Sequence, residues 1–260
     1  MNPGSQQQEE RRFLFDAHAT TLRGKLTRPS TVTFQSTGTL TVPLAGGEET
    51  TRESGVGFEG VVKIGRAESV VTGAYEAKED AWKTTVSASV HDLSILDGRL
   101  KADLIEARLT ETFHSKDGER TFSIEGSRIS GLVIEGQEIE LDYYDRPFLQ
   151  TGWRKVMADA GADTKLQERL EHKDASFRGR KSPSSLLCSL SVPKPPANGK
   201  ATVRRGAQIV IPNFGRIWLT ELFMTPDTWR LTMLRAKLGS PAEGEFEVAE
   251  ASANGHRYPP

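Results

Sequence analysis

One cysteine, Cys188, occurs in 260 residues. That excludes an intramolecular disulfide framework and any cysteine-rich zinc site. No stretch approaches the run of about 20 apolar residues that a membrane-spanning helix needs, so no span is expected. Net charge is missing as well. The 34 basic and 35 acidic residues leave a formal −1, which disfavours a generic polyanion binder. Gly-x-Ser-x-Gly elbows, phosphate-binding Gly-Lys-Ser/Thr loops, His-Glu-x-x-His pairs and calcium-loop spacings do not occur. No catalytic residue or cofactor is therefore assigned, and the expectation is a protein that is not an enzyme. The polar opening "MNPGSQQQEERR" has no apolar secretory core. Synthesis in the cytoplasm is the default expectation, with an unconventional export route left open.

What the sequence does have is period-two alternation. An apolar fraction of 36% and a mean hydropathy of −0.47 suit a globular domain with a wet surface. Residues 1–11 read as a disordered tail, and 12–260 as one β-rich domain. Phe13, Phe15, Ala17 and Ala19 share one strand face. In 30–44, Val32, Phe34, Leu40, Val42 and Leu44 lie opposite a row of threonines at 31, 33, 37, 39 and 41. Such a row is flat and regular, as on some polymer-binding faces, though threonine also favours ordinary exposed strands. Val56, Phe58, Val62 and Ile64 resume the pattern.

The segment "ILDGRLKADLIEARL" (95–109) has helical composition, yet Asp97-Gly98 is a strong two-residue hairpin signal. Placing the turn there makes partner numbers sum to 195, so that Val90 faces Ile105, Val86 faces Leu109 and Trp82 faces Phe113. Both arms then switch apolar parity at the same level. Cross-strand pairing requires such mirroring, because opposed residues share a face, and a helix does not. A ribbon is expected. Asp117-Gly118 places Phe113 opposite Phe122, and Glu135-Gly136 places Leu132 opposite Ile139. This is the grammar of an antiparallel meander.

At Asp145 the pattern changes. Asp145 and Pro147 start a helix with Leu149, Trp153, Val156, Met157 and Ala160 on one face, ended by Gly161. Thr164 and Gln167 cap a second helix. The insertion spans about 146–175, after which strands return. The expected fold class is mainly β, an antiparallel sandwich or meander with a short helical insertion.

Few side chains suggest chemistry. Cys188 alternates with Leu186, Leu190 and Val192, which makes it a core thiol. Asp16 and His18 share a strand face but have no identifiable third metal ligand, so no metal is assigned. His91 sits at the parity switch, in a position for a local hydrogen bond, and His172 follows Glu168 by four as an ordinary helix surface pair. Arg178, Arg180, Lys181, Arg204 and Arg205 form a candidate basic patch. With little aromatic interleaving, nucleic acid is disfavoured as its partner. The parity switch aims Leu93, Ile95, Leu100 and Ala102 away from the face used by the rest of the ribbon. A second apolar surface must cover them: either the ribbon bends and the helix carrying Trp153 or a second sheet packs there, or they are a candidate interface for a second subunit or a protein partner.

Residues 86–109 ("VSASVHDLSILDGRLKADLIEARL") and 127–139 ("SRISGLVIEGQEI") resemble bacterial proteins of the choice-of-anchor type, in which a strand, a turn and a "GLxIxG" strand recur. The resemblance implies a β fold and no catalytic residues. The favoured expectation is a non-catalytic structural or assembly protein that self-associates through the long ribbon. The alternatives are a binding module for a polymer or carbohydrate surface, and an enzyme with a motif-free carboxylate site.

Overall fold

The computed structural model describes residues 12–28, 30–58, 60–170, 184–194, 202–203, 208–240 and 242–258. The expected N-terminal tail lies outside them. A short β1 (Arg12–Leu14) leads into β2 (Ala17–Arg28), followed by β3 (Val32–Thr37) and β4 (Leu40–Thr41). Four long strands come next: β5 (Gly47–Phe58), β6 (Val62–Glu76), β7 (Ala81–Ile95) and β8 (Leu100–His114). Short strands follow: β9 (Arg120–Ser123), β10 (Arg128–Ser130), β11 (Val133–Ile134), β12 (Gln137–Glu138) and β13 (Leu141–Tyr143). The helical segment holds a 3-10 turn at Arg146–Phe148, α1 (Trp153–Ala162) and α2 (Thr164–Arg169). Next are β14 (Leu186–Ser189), β15 (Ser191–Pro193), β16 (Thr202–Val203) and β17 (Gln208–Ile211). The last four strands are β18 (Gly215–Met224), β19 (Trp229–Leu238), β20 (Glu243–Ala253) and β21 (His256–Tyr258).

One sheet runs β5-β6-β7-β8, with β9, β10 and β11 on β8 and β12 beyond β11. A second large sheet runs β16-β17-β18-β19-β20-β2-β3, with β14 on β18 and β4 on β2, and β1-β21 and β13-β15 form two-stranded sheets. All pairings are antiparallel. Strands β2, β19 and β20 contact β6, β7 and β8, and their inward side chains form the core of a β-sandwich.

The ribbon forms as expected, from Ala81↔His114 to Ile95↔Leu100. Asp97 and Gly98 both take positive φ, at 53° and 85°, as a type I′ turn demands. The parity switch has a local cause. Buried positions in β7 pass from Val86, Ala88 and Val90 to Leu93 and Ile95, with His91 and Asp92 both off the core face. Neighbouring strands do the same at Gly65-Arg66 and Asp103-Leu104. The register holds through the switch, so each strand carries one extra residue at the same level, the pattern of a β-bulge repeated across the sheet. Asp92 takes a left-handed φ of 54° to do so. A Cβ at Gly65 would meet the Asp92 carboxylate at 2.7 Å, which explains glycine there. The opposite sheet has its own line of this kind, with Thr220 and Ala249 at φ 51° and 52°.

Both halves of the ribbon therefore enter one core. Leu93, Ile95, Leu100 and Ala102 are at most 1% exposed in the single chain. The candidate interface is corrected accordingly, because these side chains have no surface left to offer a partner. The tip is tied to the opposite sheet by Arg99, whose guanidinium donates to the Asn213 and Pro212 carbonyls at 2.5 and 2.9 Å.

Four smaller expectations need correction. Strand β9 pairs two residues away from the expected register, with Phe113 opposite Arg120 and Glu111 opposite Phe122. The loop after His114 is longer than two residues, and Gly118 donates back to the His114 carbonyl. The first helix is interrupted: Thr151 exchanges two backbone hydrogen bonds with Phe122, which pulls 149–152 out of helical geometry. Helix α2 is capped by Asp163, which accepts from the Leu166 N–H at 3.1 Å, and Thr164 is its first residue. The threonine row is no continuous array. Gly38, at φ 59°, divides it into β3 and β4, which pair separately with β2.

Candidate functional site

A concavity lies on the outer face of β7, β8 and β9. It is a groove of about 690 Å³ with Lys83, Thr85, Arg108, Thr110, Thr112 and Thr121 among its lining residues. Glu79, Glu125 and Gln150, from flanking loops, line it as well. Register explains the floor. Thr85, Thr110 and Ser123 stand side by side on three adjacent strands, and Thr72 of β6 continues the row beyond the groove. Lys83, Thr112 and Thr121 form the next row. Strand geometry spaces such side chains about 4.8 Å apart across the sheet and about 6.8 Å along it. The result is a grid of hydroxyls, each able to donate and to accept.

Charge is arranged unevenly over this face. The row toward the tip, Arg52, Glu68, Ser89, Glu106 and Arg128, is closed by the ion pairs Arg52–Glu68 at 2.9 Å and Arg128–Glu106 at 3.2 Å. In the groove, Lys83 and Arg108 have no acidic partner among the described residues, and both are exposed. Glu79 and Glu125 are exposed too. Their presence keeps the groove from being a cationic trough.

A second polar feature is internal. Glu111, on the core side of β8, is fully buried. It accepts from the Gly255 N–H at 3.0 Å and lies 3.5 Å from the Arg120 guanidinium. Burial pushes its carboxyl up to about 7, and Arg120 and the Gly255 N–H oppose that rise. Glu111 thereby ties the long ribbon to the C-terminal strands.

The residues singled out by sequence fall elsewhere. Cys188 is fully buried in β14 opposite Leu222. A thiol reagent at neutral pH is expected to label the native protein at least ~1000-fold more slowly than the unfolded chain. Rapid native labelling would contradict that burial. His18 turns to Glu250, with Nε2 3.5 Å from Oε1. Among the described residues no group of three His, Cys, Asp or Glu is placed to hold a metal ion. His91 lies 2.9 Å from the Arg66 guanidinium, the local role expected of it. Arg178, Arg180, Lys181, Arg204 and Arg205 lie outside the described residues, as does His172. The groove itself was missed, although its signal was present. Alternate residues 83, 85, 108, 110, 112, 121 and 123 are hydroxyl-bearing or cationic, and the ribbon register brings them together.

The fold and the groove thus define an antiparallel β-sandwich with a polar recess on one outer face. The profile of a domain of unknown function, DUF8256, matches residues 13–178, and the chain belongs to that family. The matched region includes β1–β13 and both helices. Strands β14–β21 follow it, and of these β14 and β16–β20 belong to the second large sheet. No curated protein and no solved structure matches the chain.

Proposed function

We propose that this protein is a non-catalytic binding module whose groove over β7, β8 and β9 takes a polyhydroxylated polymer, a glycan. The observation that carries this reading is the in-register hydroxyl grid, flanked by two cations with no acidic partner among the described residues and by two exposed carboxylates. Hydroxyls pair reciprocally with sugar hydroxyls, while carboxylates and guanidinium accept from and donate to vicinal diols. Balanced charge favours a neutral or weakly charged chain over a polyanion.

The reading is non-catalytic because glycosidic hydrolysis needs one carboxylic acid kept protonated by its surroundings. Glu79 and Glu125 are both solvated. Among the described residues the buried carboxylates, Glu111, Glu221 and Glu250, do not line the groove. Phe122, the aromatic among the groove's lining residues, is buried against Trp229, so affinity rests on hydrogen bonds worth about 0.5–1.5 kcal/mol each. Four such contacts give a dissociation constant of roughly millimolar order.

Titration against a panel of neutral and acidic oligosaccharides tests the proposal. The wild type is expected to bind at least one class. Replacing Thr85 and Thr110 together by valine, near-isosteric and outward-facing, is expected to weaken that binding roughly tenfold or more, with thermal stability kept. Failure of every glycan to bind, or equal binding by the double variant, would contradict the groove's role.

A further inference from the structure

The first sheet ends in a long strand with one side unused. Strand β5 pairs with β6, and among the described residues no strand pairs its other edge. The other terminal strands of the two sheets are shorter: β12 and β16 have two residues and β3 has six, against twelve in β5. A free edge is a row of unpaired backbone donors and acceptors, and proteins protect it with charge or fill it with another strand.

The charges on β5 distinguish those outcomes. Glu48, Glu49, Arg52 and Glu53 lie below Gly55, whose φ of 66° continues the transverse bulge line. The straight, pairable stretch is therefore 47–54. Two copies joined antiparallel into one sheet are related by a two-fold axis normal to it, so opposed residues must share a face. That restricts the registers. Centred on Thr51, the pairing opposes Glu49 to Glu53, and centred on Arg52, it opposes two arginines. Centred on Thr50, it sets Glu48 opposite Arg52 twice, Glu49 opposite Thr51, and Gly47 opposite Glu53. This is the register that brings opposite charges face to face. Arg52 then stands between Glu68 of its own β6 and Glu48 of the second copy, and its side chain is 69% exposed and available for that contact.

We propose that two copies of this chain pair edge to edge through residues 47–53 of β5, antiparallel about a two-fold axis at Thr50. The inference stands independently of what the groove binds. A two-fold normal to the sheet leaves both outer faces on the same side, so both grooves open in one direction and a long polymer engages them together. Weak single-site affinity is then raised by linkage. A contact of this size falls at the weak end of specific interfaces, with an expected dissociation constant of roughly 10–100 µM.

Sedimentation equilibrium between about 1 µM and about 1 mM tests the proposal. The wild type is expected to pass from monomer to dimer. Glu48→Arg opposes two arginine pairs and is expected to raise the dissociation constant roughly tenfold; Arg52→Glu acts likewise. The double variant E48R/R52E restores opposite charges and is expected to return within about threefold of wild type. These side chains are solvent-facing, so unchanged thermal unfolding confirms that the variants remain folded. Thr50→Cys provides an independent reading, since the native thiol at Cys188 is buried: a cysteine on the axis is expected to cross-link the dimer on oxidation, and Ser54→Cys is not. A wild type monomeric throughout overturns the proposal. So does a Glu48→Arg variant that dimerises normally, or a double variant no tighter than the single ones. No cross-linking by Thr50→Cys at dimeric concentrations overturns the register.

Discussion

Trp229→Ala is expected to destabilise the protein by about 3–5 kcal/mol, the range for removing a large aromatic from a packed core. Trp229 is fully buried on β19. Its ring stacks on Phe122 of the opposite sheet at 4.7 Å and 7°, and meets Phe148 of the 3-10 turn at 6.1 Å and 74°. One side chain thus joins both sheets to the helical insertion, and truncation loses its stacking as well as its volume. Trp229→Phe is expected to cost much less. The indole N–H has no hydrogen-bond partner among the described residues, so replacing it removes a buried orphan donor along with some volume. Urea unfolding measures both. A Trp229→Ala loss below about 1.5 kcal/mol would show that the three rings do not hold the layers together.

Glu111→Gln is expected to raise stability at alkaline pH. Burial holds the Glu111 carboxyl at about 7 in the folded protein, whereas in the unfolded chain it titrates near the ordinary value of 4.5. A raised acid binds its proton more tightly when folded. Its contribution to stability is therefore complete below about 4.5 and is lost as pH climbs through about 7. Across that window the wild type is expected to lose roughly 3 kcal/mol through this group, or about 6–12 °C in Tm for a chain of this size. Glutamine stays neutral and can still accept from the Gly255 N–H. The variant should be flatter between pH 4.5 and 7.5, and more stable than wild type at pH 8. Parallel pH profiles for the two proteins would contradict a buried, proton-holding Glu111.

The ribbon was legible in the sequence because pairing imposes a mirror. Val86, Val90, Ile105 and Leu109 fit no helix but fit one hairpin, and the structure has that hairpin. At the next step the mirror left two outcomes open, burial within the chain and an interface between chains. A parity switch on regular strands sends Leu93 and Ile95 to the opposite face, and that inference produced a candidate interface. A bulge shared by neighbouring strands keeps them on the core side. Its trace was two consecutive non-core residues, His91-Asp92 and Gly65-Arg66, on adjacent strands.

The broken helix was not legible, because Thr151 leaves the helix to pair with Phe122, far earlier in the chain, and local periodicity carries no record of that partner. The threonine row failed at Gly38, where one glycine converts an apparent eleven-residue strand into two. The groove was recoverable in principle. Its residues are the outward half of the ribbon whose inward half had been read correctly.

Backbone amide chemical-shift mapping locates glycan binding on the molecule residue by residue. The protein would be titrated with the tightest-binding oligosaccharide of the panel. The account predicts that saturable shifts concentrate at Lys83, Thr85, Arg108, Thr110, Thr112 and Thr121, with the core-facing and second-sheet amides unmoved. Saturable shifts centred instead on the second sheet, with the β7–β9 face silent, would contradict it.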